Sequence, residues 1–165
     1  MRGESAMNRN KGYSLVELII VIAIIGIVTT GTISVMGLIA RSNKQKCASS
    51  IQTALDTLRV ETMSKSTPCY LYLYCKDDEY YLLHSQQEMI SCDGTGSLIG
   101  NSSMFISVGG TKLTEANSPV KLAVNRKDGS YREDASSGIS FYDTISVSDI
   151  YTVHLVKNTG AHYVK

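Results

Sequence analysis

The sequence KGYSLVE at residues 11–17 runs directly into the apolar sequence LIIVIAIIGIV at residues 18–28. From Leu18 to Ala40 the chain carries no formally charged side chain over 23 residues. A helix of this length would measure roughly 34 Å, which exceeds the hydrocarbon core of a bilayer at roughly 30 Å. The sequence therefore predicts a helix that spans a membrane.

Glu17 is the one charged residue between Tyr13 and Ala40, and it lies at the edge of the apolar run. A carboxylate at the centre of a membrane helix costs about 2.5–3.5 kcal/mol on insertion scales, and less near the interface. We therefore expect a positively charged group to pair with Glu17.

The sequence GYSLVE at residues 12–17, followed by the apolar helix, resembles the processing site of type IV prepilins and pseudopilins, the class III signal. In that family a membrane peptidase cuts after the glycine on the cytoplasmic side and methylates the new amino terminus. The resemblance implies cleavage between Gly12 and Tyr13 and N-methylation of Tyr13. It also implies that Glu17 neutralises the terminal amine of a neighbouring subunit during assembly. Tyr13 stands where phenylalanine is usual and keeps the aromatic ring.

Two alternatives to this interpretation concern the leader at residues 1–12, which is weakly basic and begins at either Met1 or Met7. A basic leader before an apolar run is also typical of a secretory signal peptide. That alternative is disfavoured because the apolar run is too long, contains Glu17 and is followed by no clear A-x-A site. The other alternative is an uncleaved single-pass membrane protein.

Beyond Ala40 the apolar residues recur at spacings of three and four, which predicts an amphipathic helix. They are Ala48, Ile51, Leu55, Leu58 and Thr62. We expect one helix from about Tyr13 to Lys65, with a transmembrane or filament-core part at residues 13–40 and an amphipathic part at residues 41–66. Gly26, Thr30 and Ser34 form either a small-residue stripe for close helix approach or ordinary membrane-helix composition.

The pattern of residues 67–165 predicts a β-rich head. We therefore expect an α+β fold, with the long helix packed on a small antiparallel sheet. Apolar residues alternate at residues 69–75 and return at residues 80–84, which indicates a hairpin around the polar turn 76–79. Further apolar runs lie at residues 104–108, 120–124, 139–142, 151–156 and 161–164, and residues 91–103 are typical of a loop. The order of these segments loosely resembles minor pseudopilins of the GspH/FimT type, and the whole pattern is pilin-like.

Four cysteines, Cys47, Cys69, Cys75 and Cys92, match no spacing of a zinc site, so we expect no metal and no cofactor. Outside the membrane one disulfide is predicted, either Cys75–Cys92 or Cys69–Cys92. A bridge that closes a loop of about 15 residues would stabilise the head by roughly 3 kcal/mol. The alternative is that these cysteines are buried free thiols. Cys47 has no expected partner within the chain.

No motif of a catalytic site or phosphate loop occurs, and the three histidines are scattered singly, so we expect no enzyme activity. The exported part, residues 41–165, contains 13 Lys and Arg residues and 13 Asp and Glu residues, which gives no net charge. Nucleic-acid binding needs clustered positive charge. Binding of nucleic acid therefore remains an alternative, but the charge pattern does not indicate it.

The resemblance implies a structural subunit, a minor pilin or pseudopilin of a type IV pilus, a competence filament or a type II secretion-like filament. Its partners would be other pilin subunits, the prepilin peptidase and an inner-membrane assembly platform. The expected location is the bacterial cytoplasmic membrane as a single-pass protein with its head outside, followed by a filament in the periplasm or on the cell surface. The alternative function is a filament-displayed adhesin, or a receptor for DNA or a substrate, that binds through the tyrosine-rich head.

Overall fold

A computed structural model of the chain describes residues 13–165, with the backbone alone described for residues 30–36. The chain divides into two compact units, with the boundary between Ile39 and Ala40. Helix α1, Leu15–Ser64, contributes to both of them, and its 50 residues match the predicted single helix closely. The fold is α+β, as predicted, with a helix and antiparallel sheets.

Within the described part of the chain, no helical segment combines the length and the apolar character that crossing a membrane requires. The predicted span from Leu18 to Ala40 includes residues 30–36, whose side chains lie outside the described part.

The second half of α1 buries the predicted stripe in the unit Ala40–Lys165. Each of its five residues is at most 5 % exposed: Ala48, Ile51, Leu55, Leu58 and Thr62. Between them lie Gln52, Asp56, Arg59 and Glu61, none of which is buried. The spacing of three and four residues therefore predicted the buried face correctly, because this spacing keeps side chains on one side of a helix.

The first sheet has four antiparallel strands in the order β3-β2-β1-β6. Their bounds are Tyr70–Lys76 for β1, Glu79–Ser85 for β2, Ser97–Gly100 for β3 and Val120–Ala123 for β6. The predicted hairpin is confirmed as β1 and β2, joined at Asp77 and Asp78, which have φ of 51° and 60°. Two consecutive residues with positive φ match the right-handed twist of the strands, and Asp tolerates this conformation better than most residues.

The second sheet has five antiparallel strands in the order β5-β4-β7-β8-β9. Their bounds are Ile106–Val108 for β4, Thr111–Lys112 for β5, Thr144–Val147 for β7, Tyr151–Leu155 for β8 and His162–Val164 for β9. Two 3-10 helices, Glu115–Asn117 and Ala135–Ser137, lie in the connections. The head thus contains two sheets where the sequence predicted one.

Two local predictions for the head were wrong, and two strands were not predicted. The predicted loop at residues 91–103 contains β3, and strands β5 and β7 were missed. The apolar run 139–142 forms no strand, and within it Ile139 makes an isolated bridge to Asp134. These errors have one cause, since strands of four residues are fixed by pairing with neighbours and not by their own composition.

The main core joins α1 to both sheets within the unit Ala40–Lys165. Leu55 and Leu58 of the helix belong to the same cluster as Leu71 of β1, Leu122 of β6 and Ile145 of β7, and all five are at most 2 % exposed. Burial of each such side chain stabilises the fold by about 1.5–3 kcal/mol. The helix is therefore packed on antiparallel sheet, as predicted.

Strand β1 is buried on both of its faces, although alternating residues of a strand commonly leave one face exposed. Its outer face forms a second cluster, in which Tyr70 and Tyr72 pack with Ala123 and Ile139. Tyr72 and Tyr74 are at most 1 % exposed. The sequence underestimated this burial because the covering segments are connections between strands, which have no recognisable period.

Gly160 closes the turn before β9 with φ of +63°, and a Cβ atom there would lie 1.7 Å from the carbonyl oxygen of Gly129. We predict that Gly160→Ala lowers the free energy of unfolding by about 3 kcal/mol, because it adds a clash to left-handed strain. Urea denaturation of the full chain measures the change.

Gly110→Ala is the matched control, because Gly110 has φ of +78° and open space where a Cβ would lie. It should cost about 1 kcal/mol, the backbone strain alone. Equal losses for the two variants would contradict the proposed close approach to Gly129.

Candidate functional site

The N-terminal site lies where α1 begins. Ser14 caps the helix, since its side-chain oxygen accepts a hydrogen bond from the backbone N–H of Val16 at 3.3 Å and its carbonyl accepts one from Leu18 at 3.1 Å. Tyr13, directly before the cap, is 83 % exposed. Gly12, the predicted cleavage position, lies outside the described residues. The described chain therefore passes from an accessible non-helical residue, Tyr13, into a capped helix.

Glu17 lies in the first turn of α1, where a negative charge interacts favourably with the helix dipole. Its side chain is exposed and forms no hydrogen bond or ion pair within the part of the chain that the structure describes. In water, an exposed carboxylate at a helix N-terminus is stable without a positively charged partner. The surroundings of Glu17 are apolar, however, which makes an unpaired carboxylate costly once this surface is covered.

The apolar side chains around Glu17 are exposed on every side of the helix. They are Leu15, Val16, Leu18, Ile19, Ile20, Val21, Ile22, Ile24, Ile25, Ile27 and Val28, each at least 45 % exposed. Contiguous apolar surface of this extent marks a site of contact with protein or membrane. Gly26 of the predicted small-residue stripe has open space at its Cβ position, whereas the side chains of Thr30 and Ser34 lie outside the described part.

All four cysteines are free thiols in the structure, which therefore forms neither Cys75–Cys92 nor Cys69–Cys92. Cys47, Cys69 and Cys75 are buried and Cys92 is half-buried. Burial raises the pKa of the Cys47 thiol to about 12, and it also raises the pKa of Cys75 and of Cys92. Within the described residues, no group of His, Cys, Asp or Glu side chains could hold a metal ion.

His162 takes part in a polar network that the sequence did not indicate. Its side chain is 3 % exposed, and its Nε2 lies 3.2 Å from Oδ1 of Asp56 on α1. Its Nδ1 lies 3.1 Å from the hydroxyl oxygen of Tyr131. Nearby, Nη2 of Arg59 donates a hydrogen bond to the carbonyl oxygen of Thr159 at 3.0 Å. These contacts connect α1 to the C-terminal segment. The sequence did not indicate them because the contacting residues lie far apart in the chain.

We predict that iodoacetamide at pH 8 modifies Cys92 of the native chain first and Cys47 last. The thiolate is the reactive form, so burial and a raised pKa both protect Cys47. Mass spectrometry of tryptic peptides over time measures the order.

In urea without reductant all four thiols should react, as expected for free cysteines. Protection of two of them in urea would instead reveal the predicted disulfide and contradict the free-thiol state.

Comparison with known protein families matches residues 7–33 to the family described as the prokaryotic N-terminal methylation motif. No curated protein and no solved structure matches the chain. The looser resemblance of the head to minor pseudopilins of the GspH/FimT type therefore stays a prediction. The matched segment includes Gly12, Tyr13 and Glu17, and it ends within α1. At residues 7–33 the chain thus carries the prokaryotic N-terminal methylation motif, which is the class III signal of type IV prepilins.

Proposed function

We propose that the chain is a structural subunit, a minor pilin or pseudopilin, of a type IV pilus, a competence filament or a type II secretion-like filament. The observation that carries the proposal is the methylation motif, which indicates a substrate of the prepilin peptidase. It also indicates assembly with other pilins and favours a structural protein over an enzyme. The exposed apolar surface of α1 supports the proposal, because a packed filament would cover it.

Processing occurs between Gly12 and Tyr13 and is followed by N-methylation of Tyr13. Two features of the local structure support this position. Tyr13 and Ser14 precede the helix and Tyr13 is exposed, so that a peptidase can reach the backbone without unwinding a helical turn. After cleavage the new amino terminus, Tyr13, lies one residue before the helix cap Ser14 and two residues before Leu15, where α1 begins.

Glu17 sets the register of assembly by pairing with the terminal amine of Tyr13 on a neighbouring subunit. Opposite unit charges 4 Å apart attract by about 4 kcal/mol at an effective dielectric constant of 20. Either charge alone would be penalised within the apolar surface, so a subunit shifted along the filament would leave two unpaired charges. The absence of an internal partner for Glu17 among the described residues leaves its carboxylate available for this contact.

Before assembly the apolar part of α1 holds the subunit in the bacterial cytoplasmic membrane, with the leader inside and the head outside. An inner-membrane platform then transfers the subunit into the filament. The length of the uncharged run, Leu18 to Ala40, supports this proposal. Positive charges both precede and follow the uncharged run, where Arg41, Lys44 and Lys46 come after it. The charge balance therefore does not favour either orientation, and the motif alone supports the proposed one.

We predict that Glu17→Ala leaves membrane insertion intact or improved and reduces incorporation into sheared filaments at least tenfold. The variant removes a charge from the apolar segment but leaves the neighbouring amine unpaired. Immunoblots of the membrane and sheared fractions of the native bacterium measure both effects.

Glu61→Ala serves as the control, since Glu61 pairs with Lys65 on the same helix at 2.7 Å, outside the motif. This exposed pair should contribute less than about 1 kcal/mol, so incorporation should be retained. Normal incorporation of Glu17→Ala would remove the proposed role of the carboxylate.

We predict that Gly12→Val blocks maturation, because a branched side chain at the cleaved bond obstructs the peptidase. Intact mass spectrometry should find the leader still attached and Tyr13 unmethylated. Gly3→Val, in the same leader but distant from the cleaved bond, should be processed normally. Cleavage of Gly12→Val after residue 12 would contradict the assigned position.

A further inference from the structure

Lys121 is a lysine buried in the first sheet of the head. Its side chain is 6 % exposed, and it lies on β6 directly opposite Tyr72 of β1. Its Nζ donates a hydrogen bond to the carbonyl oxygen of Ser137 at 2.9 Å and lies 4.4 Å from the centre of the Tyr70 ring. Burial of an ammonium group is costly unless the protein provides full compensation.

The compensation for this ammonium group is incomplete. A lysine has three N–H donors, and within the described residues Lys121 uses one of them in a hydrogen bond. The nearest carboxylate oxygen, Oε1 of Glu88, is 3.6 Å away, which exceeds the length of a charge-assisted hydrogen bond. The side chain of Glu88 is 58 % exposed, so water screens this ion pair.

Lys121 lines a cavity of about 490 Å³ on the outer face of the first sheet. The walls of the cavity are largely apolar and include Met89, Ile90 and Pro119. Met89 is 85 % exposed at this site, although an apolar side chain gains free energy by being covered. One buried cation beside apolar walls is the combination that recognises an amphipathic anion.

The segment that forms one wall is fixed in place by β1. The hydroxyl oxygen of Tyr72 lies 2.8 Å from the carbonyl oxygen of Gln87 and 2.7 Å from that of Glu88. On the opposite wall, Asp134 accepts a hydrogen bond from the backbone N–H of Ser136 at 3.1 Å. Residues on both walls of the cavity are thus positioned by hydrogen bonds within the chain.

We propose that this cavity binds a monocarboxylate with a short apolar body. The carboxylate accepts hydrogen bonds from the free donors of Lys121, and the apolar body lies against Met89, Ile90 and Pro119. A single negative charge fits the site better than two, because Lys121 is the one cation among the described lining residues and Glu88 is acidic. The site goes beyond the proposed function and does not depend on filament assembly.

Hexanoate is the probe for this site, and hexanamide, which has a similar shape without charge, is the control ligand. The full chain is labelled with ¹³C at the methionine methyl groups, and the resonance of Met89 is assigned with Met89→Leu. Hexanoate should shift the Met89 resonance saturably and leave that of the buried Met104 unchanged. Hexanamide should bind at least tenfold more weakly, since it lacks the charge-assisted hydrogen bond.

Two variants test the role of charge. Lys121→Met should weaken hexanoate binding about tenfold or more, because it removes the cation and keeps the length of the side chain. Glu88→Gln should tighten binding by roughly threefold, because it removes the carboxylate that competes for Lys121. Lys76→Gln is the matched control, since Lys76 also donates to a backbone carbonyl, that of Asp93 at 2.8 Å, but does not line the cavity.

An unchanged Met89 resonance, or equal binding of hexanoate and hexanamide, would overturn the proposal. Unchanged or weaker binding by Glu88→Gln would also overturn it, because a purely structural ion pair gives no reason for tighter binding. Should Lys121→Met fail to fold in a thermal melt, the comparison of Glu88→Gln with Lys76→Gln decides the outcome by itself.

Discussion

The burial of one stripe of α1 in a core shared with both sheets is the interaction on which the head depends. Leu55 and Leu58 contact a core to which Leu71 of the first sheet and Ile145 of the second also contribute. Both sheets thus share one core with the helix. The helix is therefore a structural part of the head as well as the carrier of the N-terminal motif.

The same helix meets a second constraint in its N-terminal part, where apolar side chains are exposed on every side. A helix with this composition is stable only when lipid or protein covers it. In the proposed filament, Glu17 makes this covering selective, because a carboxylate in apolar surroundings requires a cation at a defined position. The methylation motif at residues 7–33, which is the class III signal of type IV prepilins, supports this proposal.

Buried polar groups distinguish the head from a simple apolar core. His162 is enclosed between Asp56 and Tyr131, and its ring nitrogens have a partner on each side. Lys121 is equally buried, but its donors are only partly used. A fully satisfied buried group is explained by the fold, whereas the donors of Lys121 that form no hydrogen bond are available to the proposed ligand. The cavity lined by Lys121 is therefore the proposed ligand site.

The sequence by itself determined the helix, its buried stripe, the first hairpin and the methylation motif. Each of these depends on residues that are close in sequence, such as the spacing from Ile51 to Thr62 or the turn at Asp77 and Asp78. Only the tertiary structure decided the division into two sheets, strands β3 and β7, and the burial of Tyr72, Lys121 and His162. These features depend on contacts between distant segments, such as Asp56 with His162, and local patterns carry no information about such contacts.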